Sequence, residues 1–351
     1  MNRKPRPYAT LVLFTTAFTL VVVILGAYTR LADAGLGCPD WPGCYGHLGV
    51  PKAPEDVMAA NANFPERPLE TPKAWKEMVH RYFAGTLGLL IFTIAILSWR
   101  RRQDAGQAVA LPMAIAALVV FQALLGMWTV TLQLKPVVVM GHLLGGFTTL
   151  ALLWWLFLRT SATGTRLAGG FRDVPETVTP RLIALVSLVV IYVQIALGGW
   201  TSANYAALAC TDFPTCQSVW WPAMDFEEGF VLWRGLGVNY EFGVLDSAAR
   251  TAIHMSHRVG ALVTAAWLLF VSIYFMKGAG GPAARHVAIV LLAILALQLG
   301  LGITNVLAAL PLGVAVAHNA VGALLLLAIV TLNHVLHPRS TAVSPMMEGA
   351  T

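Results

Sequence analysis

Residues 137–159 read VVVMGHLLGGFTTLALLWWLFLR, an apolar run that contains one histidine, His142, and no charge before Arg159. An α-helix rises about 1.5 Å per residue, so this run is long enough to cross the roughly 30 Å hydrocarbon core of a bilayer. A helix also satisfies its own backbone hydrogen bonds, which lipid cannot do. The run therefore predicts a membrane-spanning helix with an ionisable side chain inside it, and such side chains are rare and usually functional.

Seven other apolar runs of similar length occur in the chain. The eight runs lie near residues 10–30, 80–99, 109–131, 137–159, 181–202, 253–276, 285–307 and 313–336. The chain of 351 residues is 57% hydrophobic and 11% charged, whereas soluble domains carry about 25% charged residues. This composition excludes an ordinary soluble globule and a disordered chain. We predict an all-α integral membrane protein with eight transmembrane helices.

The charged residues predict how these helices are oriented. With the helices drawn as above, one side of the membrane carries 13 Lys and Arg against 4 Asp and Glu, and the other carries 10 against 13. Positively charged loops stay in the cytoplasm, so both termini are predicted to be cytoplasmic, and insertion accounts for the net charge of +6. The basic residues are spread thinly between apolar blocks, which excludes a nucleic-acid partner and leaves membrane lipid as the expected surrounding.

An internal repeat divides the chain into two halves. Cys38-Pro-Asp-Trp-Pro-Gly-Cys44 in one outer loop matches Cys210-Thr-Asp-Phe-Pro-Thr-Cys216 in the other. Further pairs recur 172 to 177 positions apart: Gly26 with Gly198, His80 with His257, Gln122 with Gln298, and His142 with His318. An even number of helices in each half gives both halves the same orientation. We predict two pseudo-symmetric four-helix bundles related by an axis along the membrane normal.

The predicted boundaries follow from this repeat. The N-terminal half covers residues 1–160, a cytoplasmic linker covers 161–180, the C-terminal half covers 181–337, and a cytoplasmic tail covers 338–351.

The four cysteines are predicted to form two disulfides, Cys38–Cys44 and Cys210–Cys216. Both pairs lie on the outer side, where an oxidising compartment permits disulfides. The first interpretation of each disulfide is a structural crosslink of its loop, and a redox or substrate-delivery role is the alternative. The C-x5-C spacing is unusual for zinc, which would also compete with disulfide formation.

Five of the nine histidines cluster at the outer ends of the second, fourth, sixth and eighth predicted transmembrane helices. They are His80, His142, His254, His257 and His318; the others, His47, His286, His334 and His337, suit solvated or interfacial positions. Two imidazoles facing each other across a four-helix bundle are the usual way to hold a haem iron at both axial positions. Zinc or copper would want a third ligand, whereas each half supplies two matched histidines. Nearby glycines would let a porphyrin approach the helices, although they also serve helix packing; they are Gly85, Gly88, Gly126, Gly145, Gly146, Gly260, Gly302 and Gly322.

Two features beside these histidines bear on chemistry. Arg81 and Arg258 each follow a matched histidine, and they either pair with haem propionates or extend to the membrane interface. Glu77 precedes His80 by three residues, so the two share a helix face, whereas His254 stands at the matching position of the other half. A carboxylate in one half only indicates that the two sites do different work, and Glu77 could accept a proton or stabilise a developing cation. The alternative is an acid at a helix start, favoured by the dipole.

These residues resemble the haem A synthase family, the bacterial oxidase-assembly enzymes related to the mitochondrial form. The resemblance covers roughly residues 8–337 and both halves. It rests on Thr29-Arg30-Leu-Ala-Asp-Ala-Gly-Leu-Gly-Cys38-Pro-Asp-Trp-Pro-Gly-Cys44, Glu77-Met-Val-His80-Arg81, Gly141-His142, His254-Met-Ser-His257-Arg258 and His318-Asn319.

The resemblance implies a fold and a reaction. It implies eight helices with one site per half, in a bacterial inner membrane, with the sites toward the periplasm. It implies oxidation of the C8 methyl group of haem O to a formyl group, by successive hydroxylations through an alcohol, which gives haem A for the terminal cytochrome oxidase. By resemblance, His257 and His318 hold a haem b cofactor, His80 and His142 receive the haem O substrate, and Glu77 is the essential carboxylate.

Other functions stay open on the sequence alone. A di-haem b carrier that takes electrons from quinol would not need Glu77, and a haem transporter or chaperone would hold haem only transiently. The resemblance implies a haem O synthase and oxidase assembly factors as partners, but no flavin or iron–sulfur motif identifies the electron acceptor. The apolar outer surface suits lipid or a second copy of the chain. Segment 218–250 either lies on the membrane surface or covers the second site, and the role of His254 is open.

Overall fold

A computed structural model describes residues 7–104, 108–169 and 178–337. Throughout those residues the regular structure is helical, apart from two isolated β-bridges in the outer loops. The helices are α1 (Pro7–Leu31), α2 (Pro54–Asn63), α3 (Thr71–Arg100), α4 (Ala110–Thr131), α5 (Pro136–Thr160), α6 (Ala162–Gly169), α7 (Val178–Ala203), α8 (Phe226–Gly229), α9 (Ser247–Met276), α10 (Gly281–Leu307) and α11 (Leu312–Val335). Eight of them, all but α2, α6 and α8, are long and apolar enough to cross a membrane. The predicted eight-helix membrane architecture is confirmed.

The eight long helices pack as two rings of four. In the first ring α1 contacts α3, α3 contacts α4, α4 contacts α5, and α5 contacts α1. The same cycle recurs in α7, α9, α10 and α11, and the rings meet through the contacts α1–α11, α5–α7 and α5–α11. Exchanging the two halves turns the first of these contacts into the second and leaves the third unchanged. The contacts are those expected of two equivalent bundles, and the pseudo-symmetry axis itself stays a prediction.

Parts of the predicted domain boundaries fall outside the described residues. These parts are the tail at 338–351, linker residues 170–177, and the basic residues Arg3, Lys4 and Arg6, on which the orientation partly depends. Of the described linker residues, 162–169 form α6 and 178–180 form the start of α7. The domain boundaries and the cytoplasmic position of both termini stay predictions.

Two helices begin earlier than the apolar runs indicated. Helix α3 begins at Thr71 and α9 at Ser247, whereas the runs began near 80 and 253, so His80 does not open its helix as expected but lies in its third turn. The apolar search missed the polar first turns, although each carries a start signal. Pro72 suits the first turn of a helix, and the Asp246 carboxylate accepts a hydrogen bond from the backbone N–H of Ala249 at 2.8 Å, as an N-cap does.

The largest apolar core lies in the second ring and where the two rings meet. It includes Phe147 and Leu150 of α5, Leu291 of α10 and Ile329 of α11, all buried. Because lipid is as apolar as these side chains, close packing rather than expulsion of water holds such helices together. Several threonine hydroxyls in the helices bond within their own helix. Thr16, for example, donates to the carbonyl of the residue four positions earlier, at 2.8 Å.

The second outer loop packs on the first half. The backbone N–H of Tyr240, a fully buried residue, donates to the carbonyl of Gln133 at 3.0 Å. Lys135, buried at the start of α5, donates through Nζ to the carbonyl of Gly235 at 2.9 Å and lies 3.5 Å from the centre of the Trp233 ring. This loop therefore closes the outer end of the α4–α5 turn as well as its own half.

This packing answers where segment 218–250 lies. Trp221 and Phe226 border α7 and α9 of the second half, while Glu241 pairs with Arg67 of the first outer loop at an N–O distance of 3.5 Å. Neither predicted location accounts for the whole segment, because its C-terminal part covers the first half. The sequence could not indicate this crossing, since the contacts join residues about 100 or more positions apart.

Both disulfides are formed as expected. The S–S distances are 2.07 Å for Cys38–Cys44 and 2.00 Å for Cys210–Cys216, and all four cysteines are buried. Without reductant, thiol labelling of the unfolded protein should therefore modify none of the four, and reduction should make all four reactive, as read by mass spectrometry. Labelling of either pair before reduction would argue against that bridge.

Loss of one bridge should lower the free energy of unfolding by about 2 kcal/mol.

Candidate functional site

Each cysteine motif forms a small hairpin. In the first, Cys44 and His47 exchange backbone hydrogen bonds of 2.8 and 3.1 Å. The two residues between them, Tyr45 and Gly46, have positive φ, as a two-residue hairpin turn requires. The carboxylate of Asp40 accepts hydrogen bonds from the backbone N–H groups of both turn residues at 2.7 Å. The aspartate in the motif therefore stabilises the turn.

The second motif repeats this construction. Cys216 and Val219 exchange backbone hydrogen bonds of 2.9 and 3.2 Å. The carboxylate of Asp212 accepts from the two turn N–H groups at 2.7 and 3.0 Å and from the Thr215 hydroxyl at 2.5 Å. The hydroxyl and the N–H groups hold the pKa of Asp212 below its ordinary value. The recurring spacing is thus explained by a shared hairpin.

Each hairpin is fastened to a transmembrane helix by the arginine that follows the matched histidine. The guanidinium of Arg81 donates to the carbonyls of Asp40 at 2.9 Å, Pro42 at 3.3 Å and Gly43. Arg258 likewise donates to three carbonyls of the second hairpin region, at 2.8, 2.8 and 3.4 Å. Both guanidinium groups are occupied by loop carbonyls, a role the sequence did not indicate. Pairing with haem propionates stays a prediction.

Glu77 is the second attachment point of the first hairpin. Its carboxylate accepts a hydrogen bond from the backbone N–H of Cys38 at 2.9 Å and pairs with Arg81 at 2.5 Å. The side chain is buried and lies well inside α3, so the helix-start interpretation of this acid is wrong. A carboxylate can accept from both donors at once. This end of the first half therefore has a buried carboxylate that accepts two hydrogen bonds.

His254 occupies the matching place in the second half. Its Nδ1 lies 3.3 Å from the backbone nitrogen of Cys210, and its Nε2 lies 3.2 Å from Nε of Arg258. A neutral imidazole has only one acceptor nitrogen, so it satisfies one of these donors at a time. The two halves therefore share a structural attachment but differ in its charge, which gives His254 a definite structural role.

The four matched histidines each pack against a glycine of a neighbouring helix. A Cβ atom built on that glycine would lie 3.0 to 3.4 Å from Cε1 of the imidazole, which is tighter than normal contact. The pairs are Gly26 with His80, Gly126 with His142, Gly198 with His257, and Gly302 with His318. The repeated glycines at these positions therefore make room for the imidazole rings themselves.

Other glycines on the helices leave room for amide side chains or for open space. A Cβ on Gly145 would overlap the side chain of Gln122, and one on Gly260 would lie 2.4 Å from Oε1 of Gln194. A Cβ on Gly85 would meet no atom within 4 Å. The glycines singled out in the sequence therefore serve more than one purpose.

The structure brings the predicted histidine pairs together. His80 lies within electrostatic range of His142, and His257 within range of His318. All four rings lie deep within the bundles yet keep accessible surface, so open space adjoins them. Throughout residues 7–104, 108–169 and 178–337, no three His, Cys, Asp or Glu side chains gather as a metal site would require.

Buried polar atoms without partners mark the same rings. Nδ1 of His80, of His142 and of His318 is buried and has no hydrogen-bond partner. Such atoms are uncommon in folded proteins, and a bound ligand or a local rearrangement would explain them. Together with the open space, they fit an iron-bound macrocycle held by two imidazoles in each half.

Gln194 is a residue that the sequence reasoning missed. Its Nε2 lies 3.0 Å from Nδ1 of His257 and donates to the backbone carbonyl of the same residue at 3.1 Å. The equivalent position in the first half is Val22, so only the second-half imidazole has this partner. An amide in the middle of the apolar run 181–202, without a counterpart in the repeat, was the signal that could have identified it.

Comparisons with known proteins match nearly the whole chain. A family model described as cytochrome oxidase assembly protein, COX15-CtaA, matches residues 9–330. A curated protein named Heme A synthase from Shewanella oneidensis is 47% identical over 330 residues, which cover 94% of this chain and 97% of that protein.

More distant relatives carry the same name. Heme A synthase of Caulobacter vibrioides is 27% identical and covers 93% of this chain and 95% of its own length. Heme A synthase of Bacillus licheniformis is 24% identical and covers 87% of this chain and 88% of its own length. The similarity therefore extends over both halves.

Proposed function

The chain belongs to the COX15-CtaA family of cytochrome oxidase assembly proteins, and from this premise we propose that it is a haem A synthase. It is an oxidoreductase that converts haem O to haem A, as the name of its 47% identical relative indicates. The observation that carries the proposal is the duplicated pair of intramembrane histidines, each pair enclosed by one ring of four helices. The di-haem carrier and the haem transporter are less well supported, because neither needs a buried carboxylate beside one pair only.

His257 and His318 would hold the haem b cofactor. They lie on α9 and α11 of the second ring of helices, and the unpartnered Nδ1 of His318 and the open space beside both imidazoles fit a haem that these two side chains would hold. Haem b would supply one-electron redox chemistry at this place. Gln194, through its contact with His257, would orient that imidazole, as second partners of ligating histidines usually do.

His80 and His142 would receive the haem O substrate. Both have a buried Nδ1 without a hydrogen-bond partner, which fits a ligand that the two imidazoles would share. Glu77 lies one helical turn from His80 on the same face. Its buried carboxylate would accept a proton from the reacting methyl group or stabilise positive charge that develops there. Arg81 holds the hairpin against this end of the bundle through its hydrogen bonds to the carbonyls of Asp40 and Pro42.

The two sites would face the periplasm across a bacterial inner membrane. The eight spanning helices support a multi-pass membrane protein, and the excess of Lys and Arg on the opposite side supports the orientation. Both disulfides lie at the histidine end of the bundles, which suits an oxidising compartment. A haem O synthase and oxidase assembly factors would be partners, and a second copy of the chain remains a candidate neighbour on the lipid-facing surface.

The proposal is tested by extracting haems from cells that make haem O but no haem A. Expression of this chain should make haem A appear at the expense of haem O in chromatography of the extract, with the alcohol as a minor intermediate. Cells with the empty vector are the control. Unchanged haem O in cells whose membranes contain the folded, haem-loaded protein would contradict the proposal.

A further inference from the structure

A cavity of about 480 Å³ lies between α7 and α9 in the second half. Its walls come from these two helices, and Trp221 and Phe226 of the outer loop form its outer end. It opens sideways toward lipid, because its wall residues Val193 and Val263 are exposed. The volume lies within the roughly 300–1,000 Å³ range of small-molecule sites. Neither His257 nor His318 lines this cavity, although Gln194 of its wall contacts His257.

At the equivalent place of the first half, two aromatic side chains meet between α1 and α3. By the repeat, Val190 corresponds to Phe18 and Gly260 to Phe83. The rings of Phe18 and Phe83 stack with their centres 5.4 Å apart and nearly parallel planes, and so fill the groove between α1 and α3. In the second half, Val190 and Gly260 line the open cavity instead. The two halves therefore differ at this place although they share the same fold.

The cavity also has a polar group that the first half lacks. Gln194 lines it, and the Oε1 atom of this amide is buried without a hydrogen-bond partner. The other end of the same amide contacts His257. The remaining lining is mainly aliphatic. A ligand for this site is therefore a flat or chain-like apolar molecule that carries one or two oxygen groups and reaches the site from the bilayer.

From this cavity we infer a binding site for a membrane quinone. The inference rests on the proposed function for its purpose, since oxidation needs a co-reactant. With water as the oxygen source, the conversion of the methyl to the formyl group is R–CH3 + H2O → R–CHO + 4 H+ + 4 e−. Two quinones take up these electrons and protons and leave as two quinols. In the quinol form a ring hydroxyl can donate a hydrogen bond to the free Oε1 atom of Gln194. An isoprenoid tail suits the opening between Val193 and Val263.

The test is photolabelling with an azido-ubiquinone that carries a short isoprenoid tail. The haem-loaded protein is placed in nanodiscs of phosphatidylethanolamine and phosphatidylglycerol, without haem O. Label is expected in peptides that contain residues 189–197 and 255–264, and unlabelled ubiquinone should compete for it. Filling the cavity with Val190→Phe should reduce this label at least tenfold while the absorbance of bound haem is retained.

Two further variants make the result decisive. Leu185→Phe adds the same ring to an exposed position of α7 outside the cavity and should leave the label unchanged. Val263→Phe fills the cavity from α9 and should act like Val190→Phe, which guards against misfolding of either variant. Label that is equal in all three variants, or that excess phospholipid alone displaces, would overturn the inference and identify a lipid site.

The two proposals fail in different ways. Labelling is measured in the resting protein and does not depend on turnover. Specific label without haem A production would contradict the proposed synthase function and leave the quinone site intact. Haem A production without specific label would contradict the quinone site alone.

Discussion

Replacing His257 or His318 with alanine is expected to remove the haem b from the purified protein. Each residue would supply one axial ligand, and the intramembrane site offers no substitute, since Gln194 and Gln298 have only weakly coordinating amide groups. The haem absorbance per protein should fall at least tenfold in either variant. The measurement is the reduced-minus-oxidised spectrum of detergent-purified protein, normalised to protein concentration.

Controls separate ligand loss from misfolding. His286→Ala changes an exposed histidine near the start of α10 and should retain the haem. His80→Ala and His142→Ala should also retain it, because they alter the other ring. Added imidazole should restore part of the absorbance in His257→Ala, since it fits the space that the side chain leaves. A variant lacking both second-half histidines that keeps its haem would refute the assignment.

Glu77→Gln is expected to stop conversion of haem O while the haem b of the second half is retained. The amide oxygen can still accept the hydrogen bond from the Cys38 N–H, so the hairpin keeps one attachment, but an amide neither takes a proton nor carries a charge. Loss of a group that acts in proton transfer costs about 10²–10⁴-fold in rate. Haem extraction from cells supplied with haem O measures the yield of haem A.

The matched control is Glu70→Gln on the same side of the membrane. Glu70 is an exposed acid that pairs with Lys73 at 2.8 Å, and its loss should change neither haem b content nor haem A yield. Retained haem b in Glu77→Gln shows that the fold survives the broken pair with Arg81. A normal yield of haem A from Glu77→Gln would remove this residue from the mechanism and leave it a structural attachment like His254.

The sequence indicated most of the membrane architecture and the histidine pairs. Apolar run length alone predicts a spanning helix, because the bilayer leaves the backbone few alternatives. Repeated residues such as His80 and His257 could be matched because both halves keep the same spacing. The polar first turns of α3 and α9 escaped the search, since a hydropathy criterion detects where lipid begins and not where a helix begins.

Contacts between distant segments could not be predicted in this way. The attachment of Glu77 to the Cys38 backbone depends on how the hairpin folds back onto α3, and nothing in either segment's own composition encodes that direction. The same holds for the hydrogen bonds from the Arg81 guanidinium to loop carbonyls, whereas its pairing with haem propionates stays a prediction. Gln194 was visible in the sequence, but its partner was not, because only the tertiary structure brings α7 and α9 together.

By itself, then, the sequence determined eight spanning helices, a repeat of two halves, two disulfide pairs and the candidate residues for the chemistry. These features depend on local composition and spacing. The bilayer thickness sets the length of each apolar run, and the repeat sets the positions of matched residues. Only the tertiary structure decided that the second outer loop crosses to Lys135, that Glu77 and His254 hold the hairpins, and that a groove filled by Phe18 and Phe83 in one half stays open in the other. Those outcomes depend on which side chains meet across closed rings of helices, and packing between distant parts of the chain is what sets that.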